Sequence, residues 1–390
     1  MIYGQAEAIL AEALAPLTTS EFFDAVGKLS LDCKGGPDHP RRRLFGEDPA
    51  ITLLEAFATH AMTLESHAKA PTRPAPELRP ASSADEMAER IKSFHDAGYT
   101  VRVPDVTTLA PGLQRLARAL EFMLRRPVKA ALFWSAAGAD AVIHYDKPDN
   151  IIIQLKGRKR WFISTDPPGL QNNWTQVGEP LPDLSSHRIV DVEPGDLIYV
   201  PHGTPHTVDS TTESLHVAII FEPMSVRDAI IAVVDRLADS ERALRETAFT
   251  RMRDVDLQRL SNQILDGLGR LTSHSRSGDF LKAAIDLRAS RSTAELPPLR
   301  RVNPPVGLNS HSLVRQSPLA ISYLRPSFDS IDFSQPGEHI PIHRGVQAEL
   351  QFIAATDTFR ITDIPGASAE NVKVALVSRL IQSGFLEVAD

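Results

Sequence analysis
Between Lys129 and Pro223 the sequence breaks into short apolar runs separated by turn residues: KAALFWS, AVIHYD, NIIIQL, RWFIS, HRIVDV, DLIYV and LHVAIIF. Runs of this length are too short for ordinary helices and suit strands, whose side chains alternate between two faces. Seven such segments in succession leave many edge groups to satisfy. An antiparallel barrel or a sandwich satisfies them, and either would enclose a cavity or a core.

The flanking sequence is helical in character. Thr18 to Glu21 (TTSE) reads as a capping box opening the helix EFFDAVGKLS, and a second helix is expected over Ile51 to Ser66. The Pro-rich stretch from Pro71 to Pro80 separates that helix from the next part of the chain. Leu113, Leu116, Leu120, Met123 and Leu124 recur at helical spacing and predict an amphipathic helix just before the strands begin. After Ser225, leucines interspersed with charges predict helix through about Ala289. A Pro-rich run, LPPLRRVNPP, then precedes a C-terminal segment ordered as helix (VQAELQFIAA), turn-rich stretch (FRITDIPG), helix (SAENVKVALVSRLIQSG) and strand (FLEV). That order resembles a winged helix, with Gly384 placed as a helix stop.

A chain of 390 residues suits two or three domains. Its 42% hydrophobic and 23% charged residues are those of a globular protein, and the net charge of -7 argues against a surface built mainly for nucleic acid. The one cysteine, Cys33, cannot form an internal disulfide. The N-terminal MIYGQAEAILAEALAPL carries Glu7 and Glu12 in its apolar stretch and no basic lead, which disfavours a signal peptide. No apolar run approaches a membrane span, so the expected location is the cytoplasm.

Chemistry concentrates at His144 and Asp146. Two positions apart on an expected strand, they leave the same face while Tyr145 points the other way. A third ligand has to come from a neighbouring strand. The segment PGDLIYVPHGTPH offers one: a turn at Pro194-Gly195-Asp196, a strand, and then His206. Two imidazoles and one carboxylate on one face leave coordination positions open, as in the facial triad of non-haem Fe(II) oxygenases. His202, expected in a loop before Gly203, and His216, on a later strand where it either faces the cavity or, as expected, is a packed and hydrogen-bonded histidine, are the alternatives to His206. Only His206 follows the turn-strand-turn unit at its end.

HYDKPDNIIIQLKGRKRWFIS, followed by EPGDLIYVPHGTPHTVDS and SLHVAIIF, resembles the JmjC and cupin-like 2-oxoglutarate oxygenases, most of all the ribosomal oxygenases. The resemblance is closest from Ala131 to Phe221. It implies an α+β chain built on a double-stranded β-helix, the cupin jelly-roll barrel, over residues 1–224. A helical dimerisation region over 225–298 and a winged-helix-like domain over 299–390 would come after it. It further implies Fe(II) held by His144, Asp146 and His206, with 2-oxoglutarate and O2 as co-substrates and Lys159 holding the far carboxylate of 2-oxoglutarate. An ammonium group in a cavity is a natural partner for that anion. Asn150 matches a polar position near the co-substrate, whereas Lys156, Arg158 and Arg160 read as solvent-facing charges. Tyr145, Trp161 and Trp174 line the pocket or pack beside it. Two departures stand out: Ala141 where some relatives carry a hydroxyl, and the apolar Ile219, Ile220 and Phe221 where a polar residue often supports the co-substrate.

The implied activity is hydroxylation of a side chain in a protein or peptide. A free amino acid or natural-product intermediate is the neighbouring substrate class, because fold does not fix substrate. Demethylation is a further outcome of the same chemistry, and a metal-dependent cupin isomerase is disfavoured by Lys159. A winged-helix nucleic-acid binder with a scaffold barrel is the non-enzymatic alternative. From Arg300 to Asp390, however, eight basic residues stand against nine acidic ones, and a phosphate-binding module should be visibly basic. A homodimer with a protein, peptide or small-molecule substrate, and without a nucleic-acid partner, is therefore the expectation.

Overall fold
The computed structural model describes residues 4–36, 38–59, 64–69, 73–77, 81–169, 183–245, 254–295, 303–326, 329–335 and 337–389. The first part alternates helices with short strands: α1 (Gly4–Leu14), α2 (Thr19–Ala25), β1 (Leu31–Cys33), α3 (Pro49–Thr59), β2 (Glu65–His67), α4 (Ala84–Asp96), β3 (Thr100–Val103) and α5 (Pro111–Leu124). The Thr18–Glu21 capping box is present, but α2 stops at Ala25, ahead of Gly27 in the left-handed region (φ 71°). Likewise α3 is shorter than expected, because part of its predicted tail pairs with β3 as β2. Helix α5 has Pro111 in its first turn and buries Leu113, Leu116 and Leu120.

The strand-rich part comes next as β4 (Val128–Ser135), β5 (Asp149–Lys156), β6 (Lys159–Ser164), β7 (His187–Val192), β8 (Leu197–Val200), β9 (His206–Ser210) and β10 (Ser214–Phe221). These strands form a seven-stranded sheet in the order β1-β8-β5-β10-β4-β3-β2 and a three-stranded sheet in the order β7-β6-β9, with antiparallel pairing throughout. Alternation decides what each face does. On β10, Leu215, Val217, Ile219 and Phe221 join the large core shared with α1–α5, while His216, Ala218 and Ile220 face the other way. A second apolar layer, including Ile152, Trp161, Ile163 and Ile198, fills part of the space between the two sheets. The remainder of that space is a cavity.

One predicted strand is absent. AVIHYD joins no ladder, and the chain from Asp140 to Asp146 meets β9 through isolated bridges at Asp140–Asp209 and His144–His206 and through bonds of Ala141 to Thr207 and Val208. The spacing explains this: the bridged positions are four apart on one side and three apart on the other, so an extra residue interrupts the register. Pro148, which has no N–H to donate, closes the segment. Conversely, β9 itself was not among the apolar runs.

The chain continues as α6 (Val226–Ser240), α7 (Asp254–Ser275) and α8 (Gly278–Glu295), with Ala232, Val233, Leu237 and Ala284 at their shared core. Beyond them lie β11 (Leu313–Gln316), β12 (Tyr323–Pro326), β13 (Ser330–Gln335), β14 (Glu338–His343), α9 (Gln347–Ala355), β15 (Thr358–Arg360), α10 (Glu370–Gln382) and β16 (Leu386–Val388). Two three-stranded sheets, β12-β13-β14 and β15-β11-β16, and the two helices share a core around Phe333, Ile353, Leu380 and Phe385. Gly384 (φ 75°) comes just past the end of α10 as expected. Trp174 and residues 296–302 of the Pro-rich run lie outside the described residues. Among the described residues no helix is long and apolar enough to cross a membrane.

Candidate metal centre
His144 and His206 are brought together by reciprocal backbone bonds: His144 N donates to His206 O at 3.0 Å, and His206 N to His144 O at 2.8 Å. Their ring centroids are 4.4 Å apart. Asp146 Oδ2 lies 3.7 Å from His206 Nε2, and one ligand atom from each of the three residues falls within 4.8 Å of the others. The two imidazoles are oriented alike. His144 Nδ1 lies 2.8 Å from Val142 O and His206 Nδ1 lies 2.9 Å from Thr204 O, so each Nδ1 is the protonated nitrogen and each Nε2 offers a lone pair. Asn150 Nδ2 donates to Asp146 Oδ2 at 2.9 Å and orients that carboxylate. Burial holds His206 below the ordinary histidine range, against the pull of Asp146 and with a smaller contribution from His144. The neutral form is the one a metal takes. Donor set and tautomers thus fit a divalent ion with open positions.

The trio opens onto a cavity of about 980 Å³ between the sheets. Asp146 is partly exposed at the mouth, whereas His206, Lys159 and His216 are buried. Lys159, at the start of β6, donates to Ser135 Oγ at 2.9 Å, and Thr100 Oγ1 donates to the same hydroxyl at 3.0 Å. Burial pushes Lys159 down to about 7. His216 stacks on Phe133 at 4.9 Å and meets the edge of Trp161 at 5.7 Å. Burial, reinforced by Lys159, holds this imidazole well below its ordinary range. His216 Nδ1 and Trp161 Nε1 are both buried in the cavity wall without a hydrogen-bond partner. Buried polar atoms of this kind require a partner, and an anionic oxygen beside Lys159 would supply it to the Trp161 N–H and to the Nδ1–H tautomer of His216.

The remaining positions singled out in the sequence fall out plainly. Lys156, Arg158 and Arg160 are exposed and pair with Glu213, Glu193 and Asp191. Ala141 and Ile220 do line the cavity, but Ile219 and Phe221 are in the opposite core. His202 faces Asp149, away from the trio. His216 departs from expectation: it packs as predicted, yet its Nδ1 is unsatisfied. Ser135 was missed, whereas two-residue alternation along SLHVAIIF, with Val217 in the core, turns His216 and Ile220 into the cavity.

Residues 109–229 match the JmjC domain family. The chain is 25% identical over 231 residues to the bifunctional lysine-specific demethylase and histidyl-hydroxylase NO66 of Dictyostelium discoideum, covering 55% of this chain and 43% of that protein. It is 25% identical over 217 residues to ribosomal oxygenase 2 of Rattus norvegicus, covering 53% and 46%. A match to the uncharacterized protein YxbC of Bacillus subtilis, 24% identical over 177 residues, covers 40% and 53%. The chain thus spans about half the length, or less, of these curated relatives. Among solved structures, the ribosomal oxygenase YcfD of Escherichia coli in complex with cobalt and 2-oxoglutarate superposes with a TM-score of 0.55 at 17% identity, over 96% of this chain and 99% of that one. Residues 109–229 thus match the JmjC domain family, about half of the chain is similar to NO66 and to ribosomal oxygenase 2, and the fold is shared with YcfD.

Proposed function
We propose that the chain is an Fe(II)- and 2-oxoglutarate-dependent oxygenase that hydroxylates a side chain of a protein or peptide. The observation that carries this reading is the pairing of two features across one cavity. An open-faced His144, Asp146 and His206 set lies toward the mouth, and Lys159 lies buried without a carboxylate partner among the described residues. Bound ferrous iron, with 2-oxoglutarate and O2, supplies oxidative decarboxylation and transfer of an oxygen atom to a C–H bond. The chain's residues do the rest. His144 and His206 present Nε2, fixed by their carbonyl partners; Asp146 is aimed by Asn150; Lys159 binds a carboxylate at charge-assisted strength, with Ser135 beside it. Phe133, Ile152 and Trp161 exclude water from the space between.

The protein or peptide substrate accords with the activities named for the relatives. Support for a dimer over 225–298 comes from Ile230, Leu257, Ile264, Leu265 and Leu268, all exposed on α6 and α7. The order α9, β15, α10, β16 supports a winged-helix-like module within 299–390. The test is to incubate anaerobically purified protein with Fe(II), 2-oxoglutarate, O2 and ribosomal proteins. Expected are succinate release and gain of one oxygen atom on a protein side chain, both lost in His206→Ala. Equal turnover in that variant would overturn the reading, as would failure of the wild type to bind Co(II) and 2-oxoglutarate together.

A further inference from the structure
Residues 149 and 150 sit side by side at the start of β5 and serve opposite faces of the sheet. Asn150 reaches into the cavity and holds Asp146. Asp149 is fully buried behind it. Its Oδ1 accepts from His202 N at 3.0 Å and lies 2.7 Å from His202 Nδ1. Its Oδ2 accepts from Tyr199 Oη and, at 3.2 Å, from Gly27 N. One carboxylate therefore ties together β5, the end of β8, the loop that leads to His206 and the turn after α2.

That loop is where the metal ligands are held. Gly203 N donates to Asp146 O at 2.8 Å, and Thr204 O is the partner of His206 Nδ1. Gly203 has φ 70°, and a Cβ there would meet Gly169 O at 2.0 Å, so only glycine fits at this point of the loop. The ring of His202 packs beside Gly27, with Cε1 3.7 Å from where a Cβ on that residue would lie. From His202 to His206 the chain is therefore held at three successive points, at Asp149 through His202, at Asp146 O through Gly203 N and at the His206 ring through Thr204 O. The first of these anchors is Asp149.

We propose that Asp149, acting through His202, is a positioning residue that sets the affinity of the His144, Asp146 and His206 centre for its metal from the far side of the sheet. The inference rests on the metal-centre reading above. Outer partners of metal ligands typically change affinity about 10- to 100-fold when removed. Here the carboxylate acts one step further out, through a loop rather than on a ligand ring, so an effect of about tenfold is expected.

The experiment is Co(II) binding to the full chain, measured by absorption and by equilibrium dialysis, with the melting temperature of each metal-free variant measured alongside. His202→Ala removes a partly exposed ring and leaves Asp149 its bonds to Tyr199, Gly27 and the His202 backbone. It should weaken Co(II) binding about tenfold and alter the visible Co(II) bands, while the metal-free protein still unfolds cooperatively with a melting temperature lowered by less than about 8 °C. His202→Asn, whose amide can return a donor to Asp149, should recover most of the affinity. Asp149→Asn should weaken binding at least as much as His202→Ala if it folds. Co(II) affinity and spectrum in His202→Ala equal to wild type would overturn the inference while leaving the metal centre intact. Absence of Co(II) binding in the wild type would instead overturn the centre itself.

Discussion
Lys159 Nζ lies 2.9 Å from Ser135 Oγ, and this hydroxyl is its hydrogen-bond partner on the floor of the cavity. With no carboxylate in ion-pair range among the described residues, the ammonium is a charge awaiting an anion.

Binding of 2-oxoglutarate should therefore take up a proton. Burial pushes Lys159 down to about 7 in the empty cavity, and a bound carboxylate draws its affinity for the proton upward. Above pH 7 the free site is increasingly neutral, so apparent affinity should fall by up to about tenfold per pH unit. Titration calorimetry of the Co(II)-loaded protein at pH 8, in buffers of different ionisation enthalpy, should find close to one proton absorbed. Binding without proton uptake would sink this account.

The same burial costs the empty protein stability. The unfolded lysine keeps its proton up to the ordinary value of 10.5, whereas the folded one releases it near 7. The unfolded state thus binds more protons across that window, and this group's contribution to stability rises with pH through it. Lys159→Met should remove that dependence and raise metal-free stability at pH 7 by up to about 4 kcal/mol. It should also weaken 2-oxoglutarate binding by more than about 30-fold, since an anion would lose its charged partner. Melting curves at pH 7 and pH 9 check the first part, and ligand titration the second.

His216 should behave as a co-substrate contact. His216→Phe keeps the stack on Phe133 and removes the unpartnered Nδ1, so the empty protein should be no less stable than wild type. Loss of a hydrogen bond to a charged acceptor is worth about 2 kcal/mol, or roughly 30-fold in 2-oxoglutarate affinity. Unchanged 2-oxoglutarate affinity with unchanged Co(II) affinity would count against this role.

Metal should stabilise the fold through His206. At a free concentration one hundred times its dissociation constant, a ligand adds about 2.7 kcal/mol. Co(II) should accordingly raise the melting temperature of wild type and leave His206→Ala where it is. Asn150→Ala, which frees Asp146 Oδ2, should show an intermediate shift. A full shift in His206→Ala would remove this residue from the ligand set.

Much of the fold and the site is legible in local spacing. The runs that became β4, β5, β6, β7, β8 and β10 announced themselves by length and apolarity, and α5 by its leucine period, because burial on one or both faces dictates such patterns whatever lies opposite. The two-residue interval of His144 and Asp146 and the turn before β8 likewise pointed to the three residues whose candidate ligand atoms lie within 4.8 Å of one another. What local pattern could not decide was register. The mixed composition of HTVDS hid β9, whose strand character comes from pairing with β6, and AVIHYD imitated a strand although an extra residue breaks its pairing. The stacking of His216 on Phe133 and the clamp of Asp149 on His202 and Tyr199 depend on partners between 50 and 83 residues away along the chain. The sequence by itself determined which residues could bind a metal and an anion, since that is a matter of side-chain chemistry. Only the tertiary structure decided which buried donors were left unsatisfied and which carboxylate holds the centre from behind, because burial and hydrogen-bond satisfaction are properties of neighbours in space.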